Sequence, residues 1–168
     1  MVGGKDNDRA RHIQRAKQLL ASVRHAAMAT VNASGTPHNT PYFFMIDHDL
    51  THLYWGSHPN SMHSRNIIRT GRLFVVLYEA NERGGLYIEA DGGHVLEGDE
   101  LDAGLAVHNV RRTAEGKEAI SRDYYVGDMP QRMWGAKTQR FWVNGAVRGI
   151  DGLITEDIRE EVTRENLL

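Results

Sequence analysis

The apolar residues of this chain follow a helical period near the start and mostly a strand period from residue 27 onward. Between residues 7 and 23, apolar side chains recur every three or four positions, which predicts an amphipathic N-terminal helix within residues 1–24. A terminal helix is predicted from Thr155 to Glu165, because Thr-Glu-Asp is a favourable helix start. Residues 155–168 are therefore expected to form a C-terminal helix.

Short apolar runs separated by turn residues predict six or seven strands. The predicted strands are Ala27–Val31, His38–Ile46, Leu53–Trp55, Leu73–Glu79, Leu86–Ala90, His94–Glu97 and Gln139–Val147. Shorter helices are predicted at Ser61–Arg69 and from Leu101 to about Arg112. The first three strands follow one another closely, which predicts an antiparallel meander. The pattern indicates a mainly β protein, a barrel with peripheral helices in a single domain over residues 1–168.

Composition narrows the classes of function. The 168 residues carry a net charge of -2 and no basic stripe, so nucleic acid is not an expected partner. The chain has no cysteine, which excludes disulfides, thiolate metal sites and a cysteine nucleophile. Nine histidines are present, but no His-Glu-x-x-His pattern occurs and no metal site is expected. No apolar stretch is long enough for a membrane span, and a cytoplasmic protein without a membrane partner is expected.

The segment between the third strand and the following helix is the most informative for chemistry. A helix N-terminus presents unpaired N–H groups and a positive dipole end, which favour an anion. Ser57, Ser61 and Ser64 add hydroxyl donors there, and His63 and Arg65 add further donors. These residues predict a phosphate site that needs no metal. The alternative is that Ser61 only caps a surface helix and that Arg65 is solvated.

The second predicted strand is apolar on both faces from Tyr42 to Ile46 and contains Pro41. A strand that is apolar on both faces is expected to be covered on both faces. A proline, in contrast, is tolerated only at the edge of a sheet, at the end of a strand or at a bulge. A flat aromatic ligand can lie against such an opening and accept hydrogen bonds from neighbouring N–H groups. The alternative is a core strand with a proline bulge. Trp142 is likewise either a core residue or a stacking partner for a ring.

The order of these pieces resembles the pyridoxamine 5'-phosphate oxidase-like FMN-binding split barrels. The resemblance runs from about residue 19 to residue 99 and includes a weaker match at Trp142. The segments that carry it are Ala27–Val31 with the turn Gly35-Thr36-Pro37, Tyr42-Phe43-Phe44, Leu53–Ser57, Ser61–Ile67, Gly71–Val76 and Leu86–Ala90.

The resemblance implies a six-stranded antiparallel split β-barrel, a homodimer, and FMN bound at the subunit interface. It implies that the flavin ring is lined, largely by backbone, by Asn39, Thr40, Pro41, Tyr42 and Phe43. It implies that Ser57, Ser61, His63 and Arg65 hold the phosphate and that Trp142 approaches the cofactor. Two departures weaken the phosphate site: Met62-His63 stands where the oxidase has an Arg-Lys pair, and Thr40 stands where an arginine is expected.

The sequence thus predicts an FMN-binding oxidoreductase with an unidentified small-molecule substrate, and it does not support oxidation of the vitamin B6 phosphate. The FMN would carry the hydride chemistry. Three alternatives remain open at this point. The first alternative is a reductase that uses a deazaflavin. The second is a non-catalytic protein that binds flavin or haem, with His63 or His94 as the axial ligand of the haem, and the third is a structural dimer with an empty groove.

Overall fold

The computed structural model describes residues 3–80 and 84–168, with side chains from residue 8 onward. Within these ranges the chain forms four α-helices, α1 (Gly3–Ser22), α2 (Met62–Thr70), α3 (Gly98–Ala114) and α4 (Arg164–Leu167). The same ranges contain eight strands, β1 (His25–Val31), β2 (Pro37–Phe43), β3 (Met45–Ile46), β4 (His52–Ser57), β5 (Leu73–Tyr78), β6 (Gly85–Val95), β7 (Arg132–Arg148) and β8 (Ile154–Val162). A 3-10 turn at Arg122–Tyr124 precedes β7. None of the described helices is long and apolar enough to span a membrane.

All eight strands belong to one antiparallel sheet, in which seven follow the order β2-β1-β5-β6-β7-β4-β3 and β8 pairs with β7 outside that order. The long strand β7 pairs with β4 along residues 132–137 and with β8 along residues 141–148. Strands β2 and β3 lie at opposite ends of this order, yet only Phe44 separates them in sequence. The sheet therefore curls until its two ends meet at this residue, as the strands of a barrel do.

The strand count differs from the six expected, because Phe44 divides the predicted strand His38–Ile46 into β2 and β3 and because β8 is an added strand. The antiparallel pairings of the predicted meander are present, because the segment His38–Ile46 pairs with β1 through β2 and with β4 through β3. The pairs β1–β2 and β3–β4 form hairpins, but they lie at opposite ends of the strand order. The two strands predicted at Leu86–Ala90 and His94–Glu97 are parts of one strand, β6. The register of its pairing with β7 shifts between Asp91 and His94.

The predicted C-terminal helix over residues 155–168 is wrong. Residues Ile154–Val162 form β8, and only Arg164–Leu167 are helical. Along β8, the less exposed positions alternate through Ile158, Glu160 and Val162, which is the period of a strand. Hydrogen bonding to the edge of β7 outweighs the local helix-start signal, because intrinsic propensity is a weak preference. At the other end, α1 starts at Gly3, four residues before the predicted boundary, and residues 1–2 of the predicted segment lie outside the described residues.

The interior of the curled sheet is a core of large apolar side chains. Trp55 and Trp134 are fully buried and stack with ring centroids 6.2 Å apart. Helix α1 covers the sheet through buried Ala16 and Leu19, and Val23, directly after the helix, belongs to the same core. Burying each large apolar side chain contributes about 1.5–3 kcal/mol to the free energy of unfolding, so this core holds the strands in fixed positions.

Candidate functional site

Three serine hydroxyls and one imidazole meet where β4 ends and α2 begins. The Ser57 Oγ lies 2.7 Å from His63 Nε2 and 3.1 Å from Ser61 Oγ. The Ser61 Oγ donates to Ser64 Oγ at 2.8 Å, and Ser64 Oγ donates to Ser57 Oγ at 3.1 Å. The structure thus brings together four of the five residues from which a phosphate site is predicted, Ser57, Ser61, His63 and Ser64. We call these four residues the hydroxyl–imidazole cluster.

Helix α2 begins at this cluster because Ser61 is its N-cap. Ser61 has an extended backbone (φ -64°, ψ 155°), and its Oγ accepts a hydrogen bond from the Ser64 N–H at 3.3 Å. The helix ends at Gly71, which adopts the left-handed conformation (φ 68°) that a glycine accepts without strain. Both boundaries agree with the prediction from sequence. The first N–H groups of α2 and its positive dipole end therefore face the cluster.

The end of β4 is fixed from two sides. The Trp134 Nε1–H donates to the Ser57 carbonyl at 3.2 Å, in the buried interior. On the opposite side, a Cβ at Gly56 would lie 2.9 Å from Tyr125 Oη and 3.3 Å from Gln131 Oε1. The backbone at Gly56 therefore packs closely against the segment that precedes β7, and Ser57 keeps its side chain toward α2.

Strand β2 divides the residues predicted to line a flavin ring between two faces. Along it, His38, Thr40 and Tyr42 are the less exposed side chains of one face, whereas Asn39 and Pro41 are exposed on the other face, which Phe43 shares. On the inward face, Thr40 Oγ1 lies 2.8 Å from His38 Nε2. Tyr42 belongs to the core, with 7% of its surface exposed, so its side chain is not free to line a ring.

A buried hydrogen bond ties α2 to the hairpin that contains β2. The Asn66 Nδ2 donates to Thr30 Oγ1 at 2.9 Å, and both residues are 4% exposed. Thr30 lies directly opposite His38 in the β1–β2 pair, so their side chains share the inward face. His63 is three residues before Asn66 and lies on the same side of α2. These contacts bring His38 toward His63.

The outer edge of β2 is open. Over the described ranges, β2 pairs only with β1, and no strand pairs with its other edge. Alternate residues of an edge strand direct their N–H and C=O groups away from the ladder, where a ligand can meet them. Pro41 fits this edge position, because it has no N–H to offer to a ladder. Both α2 and β4 contact β2, so the open edge begins beside the hydroxyl–imidazole cluster.

The cluster itself holds little fixed charge. Burial, with a smaller contribution from His38, lowers the pKa of the His63 imidazole below its ordinary value. Arg65, which was predicted to grip the phosphate, is exposed and donates to the Asn60 carbonyl at 2.6 Å. The described residues also contain no group of three or more potential metal ligands. The cluster is therefore suited to donate hydrogen bonds to an anion.

Trp142 lies far from the cluster within one chain. Ser57 pairs with Arg132 at the start of β7, and Trp142 follows ten residues later, roughly 30 Å along the strand. Its ring packs against Phe74, with centroids 5.9 Å apart, and Arg140 lies over it at 4.7 Å. Trp142 is on the outward face of the sheet, the same face that Asn39, Pro41 and Phe43 share on β2.

Ser64, one of the predicted hydroxyl donors, lies three residues after the N-cap and on the same side of α2, although the family resemblance does not include it. The residue that the sequence did not identify is His38, which is predicted only as the first residue of a strand. Its alternation with Thr40 and Tyr42 placed it on the inward face, and that alternation was the available signal.

Solved structures with the same fold include the haem-binding protein from Mycobacterium smegmatis, with 20% identity and a TM-score of 0.62. That alignment covers 94% of this chain and 59% of the other, so this chain spans about three fifths of that protein. A pyridoxinephosphate oxidase family protein from Clostridium acetobutylicum, related to a general stress protein, has 12% identity and a TM-score of 0.57, with 91% and 96% covered. An F420 reductase has 15% identity and a TM-score of 0.53, with 75% and 94% covered.

No family model and no curated protein sequence matches this chain. The three identities are 20% or lower, so the likeness concerns the fold. The shared fold is that of solved structures described as a haem-binding protein, an F420 reductase and a pyridoxinephosphate oxidase family protein.

Proposed function

We propose that this protein binds FMN and acts as a flavin-dependent oxidoreductase on a small-molecule substrate. The observation that carries this proposal is the position of the hydroxyl–imidazole cluster beside the open edge of β2. A phosphate needs several donors at a helix start, and a flat ring system needs exposed backbone N–H and C=O groups next to it. Both requirements are met within one small region of the chain.

The residues present fit an FMN phosphate through hydrogen bonds. Ser57, Ser61 and Ser64 would donate their hydroxyls, and the first N–H groups of α2 would donate from the backbone. The ring would lie along the open edge of β2, where Asn39 and Pro41 are exposed. When bound, FMN supplies hydride transfer, and the protein supplies position and exclusion of water.

We propose that the cofactor lies between two copies of this chain. Strand β2 and Trp142 share the outward face of the sheet but are four strands apart, which is roughly 19 Å. Trp142 of a second copy reaches the cofactor more simply than Trp142 of the same copy. The outward face also has the surface of an interface, because Tyr78 is 57% exposed and an apolar depression of about 300 Å³ lies beside Val31 and Phe74.

The absorbance spectrum of the purified protein tests this proposal first. We expect flavin bands, release of FMN on denaturation, and recovery of the bands when FMN is added back. Sedimentation should give the mass of a dimer. A colourless protein that FMN does not reconstitute would refute the proposal, and a monomer that still binds FMN would refute only its dimeric part.

A matched pair of serine variants tests where the phosphate lies. Ser57→Ala should weaken FMN binding about tenfold or more, because hydrogen bonds to charged groups contribute about 1.5–3 kcal/mol. Ser22→Ala, at the end of α1, is the control and should bind FMN as the unchanged protein does. Riboflavin, which has no phosphate, should bind both variants equally. If the two variants bind FMN with equal affinity, the phosphate does not bind at Ser57.

Two other cofactors are second candidates, because proteins with this fold are described as an F420 reductase and as haem-binding. Competition between FMN and a deazaflavin for the protein shows which of these two cofactors it binds more tightly. A Soret band on addition of haem would favour haem as the cofactor. His94 is a poor axial ligand in this arrangement, because its Nδ1 lies 2.7 Å from the Gly92 carbonyl and its Nε2 lies 3.0 Å from Glu100. Haem binding would therefore depend on His63, and His63→Gln should abolish the band.

A further inference from the structure

The inward face of β2 places a second imidazole next to the hydroxyl–imidazole cluster. His38 lies opposite Thr30, which is tied to α2 through Asn66, and its Nε2 lies 2.8 Å from Thr40 Oγ1. Its charge is close enough to His63 to affect that imidazole's titration. Strand β2, which carries His38 and Thr40 on its inward face, thus contacts the helix that carries His63.

The arginines of the surrounding elements are engaged elsewhere. Arg65 donates to the Asn60 carbonyl, Arg69 donates to the Val31 carbonyl at 2.5 Å, and Arg132 donates to the Gly127 carbonyl at 2.7 Å. In the described part of the chain, no carboxylate forms a hydrogen bond or ion pair with His38 or His63. The charge that balances a bound anion must then come from titratable groups, and His38 and His63 are the imidazoles on the two elements that face each other here. His58, in the loop before α2, is exposed, and its Nδ1 accepts a hydrogen bond from the Asn60 N–H at 3.0 Å.

We propose that His38 binds the phosphate together with His63, and that phosphate binding takes up protons at this pair of histidines. This inference rests on the proposed function, because it assigns a further ligand to the same phosphate site. The two histidines replace the fixed positive charge that an Arg-Lys pair would give. Affinity for the phosphate then depends on pH, and it falls as the histidines lose their protons.

The hydrogen-bond directions support this reading. Ser61 donates to Ser64, and Ser64 donates to Ser57, while His63 Nε2 lies 2.7 Å from Ser57 Oγ and 3.2 Å from Ser61 Oγ. The Ser57 hydroxyl also donates to the His58 carbonyl at 3.4 Å, so the cluster is closed by its own hydrogen bonds. Without an anion, two neighbouring charged imidazoles repel each other, and burial further disfavours the charge on His63. A phosphate dianion reverses both effects. A protonated Nε2–H then donates to the phosphate, and Ser57 is released to donate as well.

The size of the pH effect follows from linkage. Each proton taken up on binding weakens the affinity by at most about tenfold per pH unit, between the pKa of the free and of the bound imidazole. Because an unperturbed imidazole has a pKa of about 6.5 and an adjacent phosphate dianion raises the pKa of an imidazole, we expect FMN affinity to fall about tenfold or more between roughly pH 6.5 and 8.5. The FMN phosphate has a second pKa near 6, so above about pH 7 it stays a dianion and does not cause this fall.

Histidine titration by NMR with inorganic phosphate tests the inference without a flavin. Phosphate should raise the pKa of both His38 and His63 in the unchanged protein. His48, whose side chain is 96% exposed, is the internal control and should not move. A shift at His63 alone, or at neither histidine, would overturn the inference, and this result does not require any variant to fold.

Titrations of FMN at several pH values separate the inference from the proposed function. His38→Gln should weaken FMN binding about tenfold at pH 6.5 and flatten the pH profile, whereas His48→Gln should leave both unchanged. FMN binding that does not depend on pH would overturn the role of His38 and leave the proposed function standing. Absence of FMN binding at every pH, with both pKa values raised by inorganic phosphate, would overturn the proposed function and support the anion site.

Discussion

Replacing Thr30 with valine removes one hydroxyl from the hydrogen bond that holds α2 against β1. Valine has almost the same shape as threonine, so packing changes little while the Asn66 side chain loses its acceptor. Both residues are 4% exposed, and water therefore cannot easily replace the lost partner. An unsatisfied buried donor costs about 1–3 kcal/mol. For a chain of this length that corresponds to a fall in Tm of roughly 2–12 °C.

Urea unfolding followed by tryptophan fluorescence measures this loss. Thr113→Val is the matched control, because Thr113 is exposed in α3, and its stability should change by less than about 0.5 kcal/mol. Combining Thr30→Val with Asn66→Leu removes both polar groups, so the double variant should be more stable than the sum of the two single effects. A loss for Thr30→Val no larger than for the control would refute the idea that this hydrogen bond fixes α2.

Three further predictions concern the same end of the sheet. Gly93→Ala places a Cβ 2.4 Å from Ile67 Cγ2, so urea unfolding should show a loss of about 1–3 kcal/mol, and adding Ile67→Leu, which removes that methyl group, should recover part of it. Ser61→Ala removes the N-cap of α2 and should cost about 1 kcal/mol in the same assay. The hydrogen bond to Glu100 raises the pKa of His94, so its stabilisation is complete below the ordinary pKa and is lost as pH rises through the raised one. His94→Gln should therefore lower Tm more at about pH 5.5 than at about pH 8.5, and an equal effect at both would contradict this linkage.

The elements that carry their own local signals were predictable from the sequence. Helix α2 has an N-cap serine at one end and a glycine that must be left-handed at the other, and the structure confirms both. The segment Ile154–Val162 was not predictable in this way. Its helix-start residues are present, but the free edge of β7 decides its conformation, and that edge belongs to the tertiary structure.

The candidate site was predictable where it is built from neighbours in sequence. Ser57, Ser61 and His63 lie within seven residues and converge as expected. Arg65 does not join them, because a nearby backbone carbonyl satisfies its guanidinium. The approach of His38 depends on the pairing of β1 with β2 and on the docking of α2. No local pattern contains that information.

The single residue Phe44 has a consequence for motion in the sheet. It joins the two terminal strands through a covalent chain, so the circumference is closed without a complete row of hydrogen bonds between β2 and β4. Widening at this seam breaks no hydrogen bond of a ladder between paired strands. Amide protons on the open side of β2 should exchange with deuterium much faster than those of β5 and β6, which have neighbours on both sides.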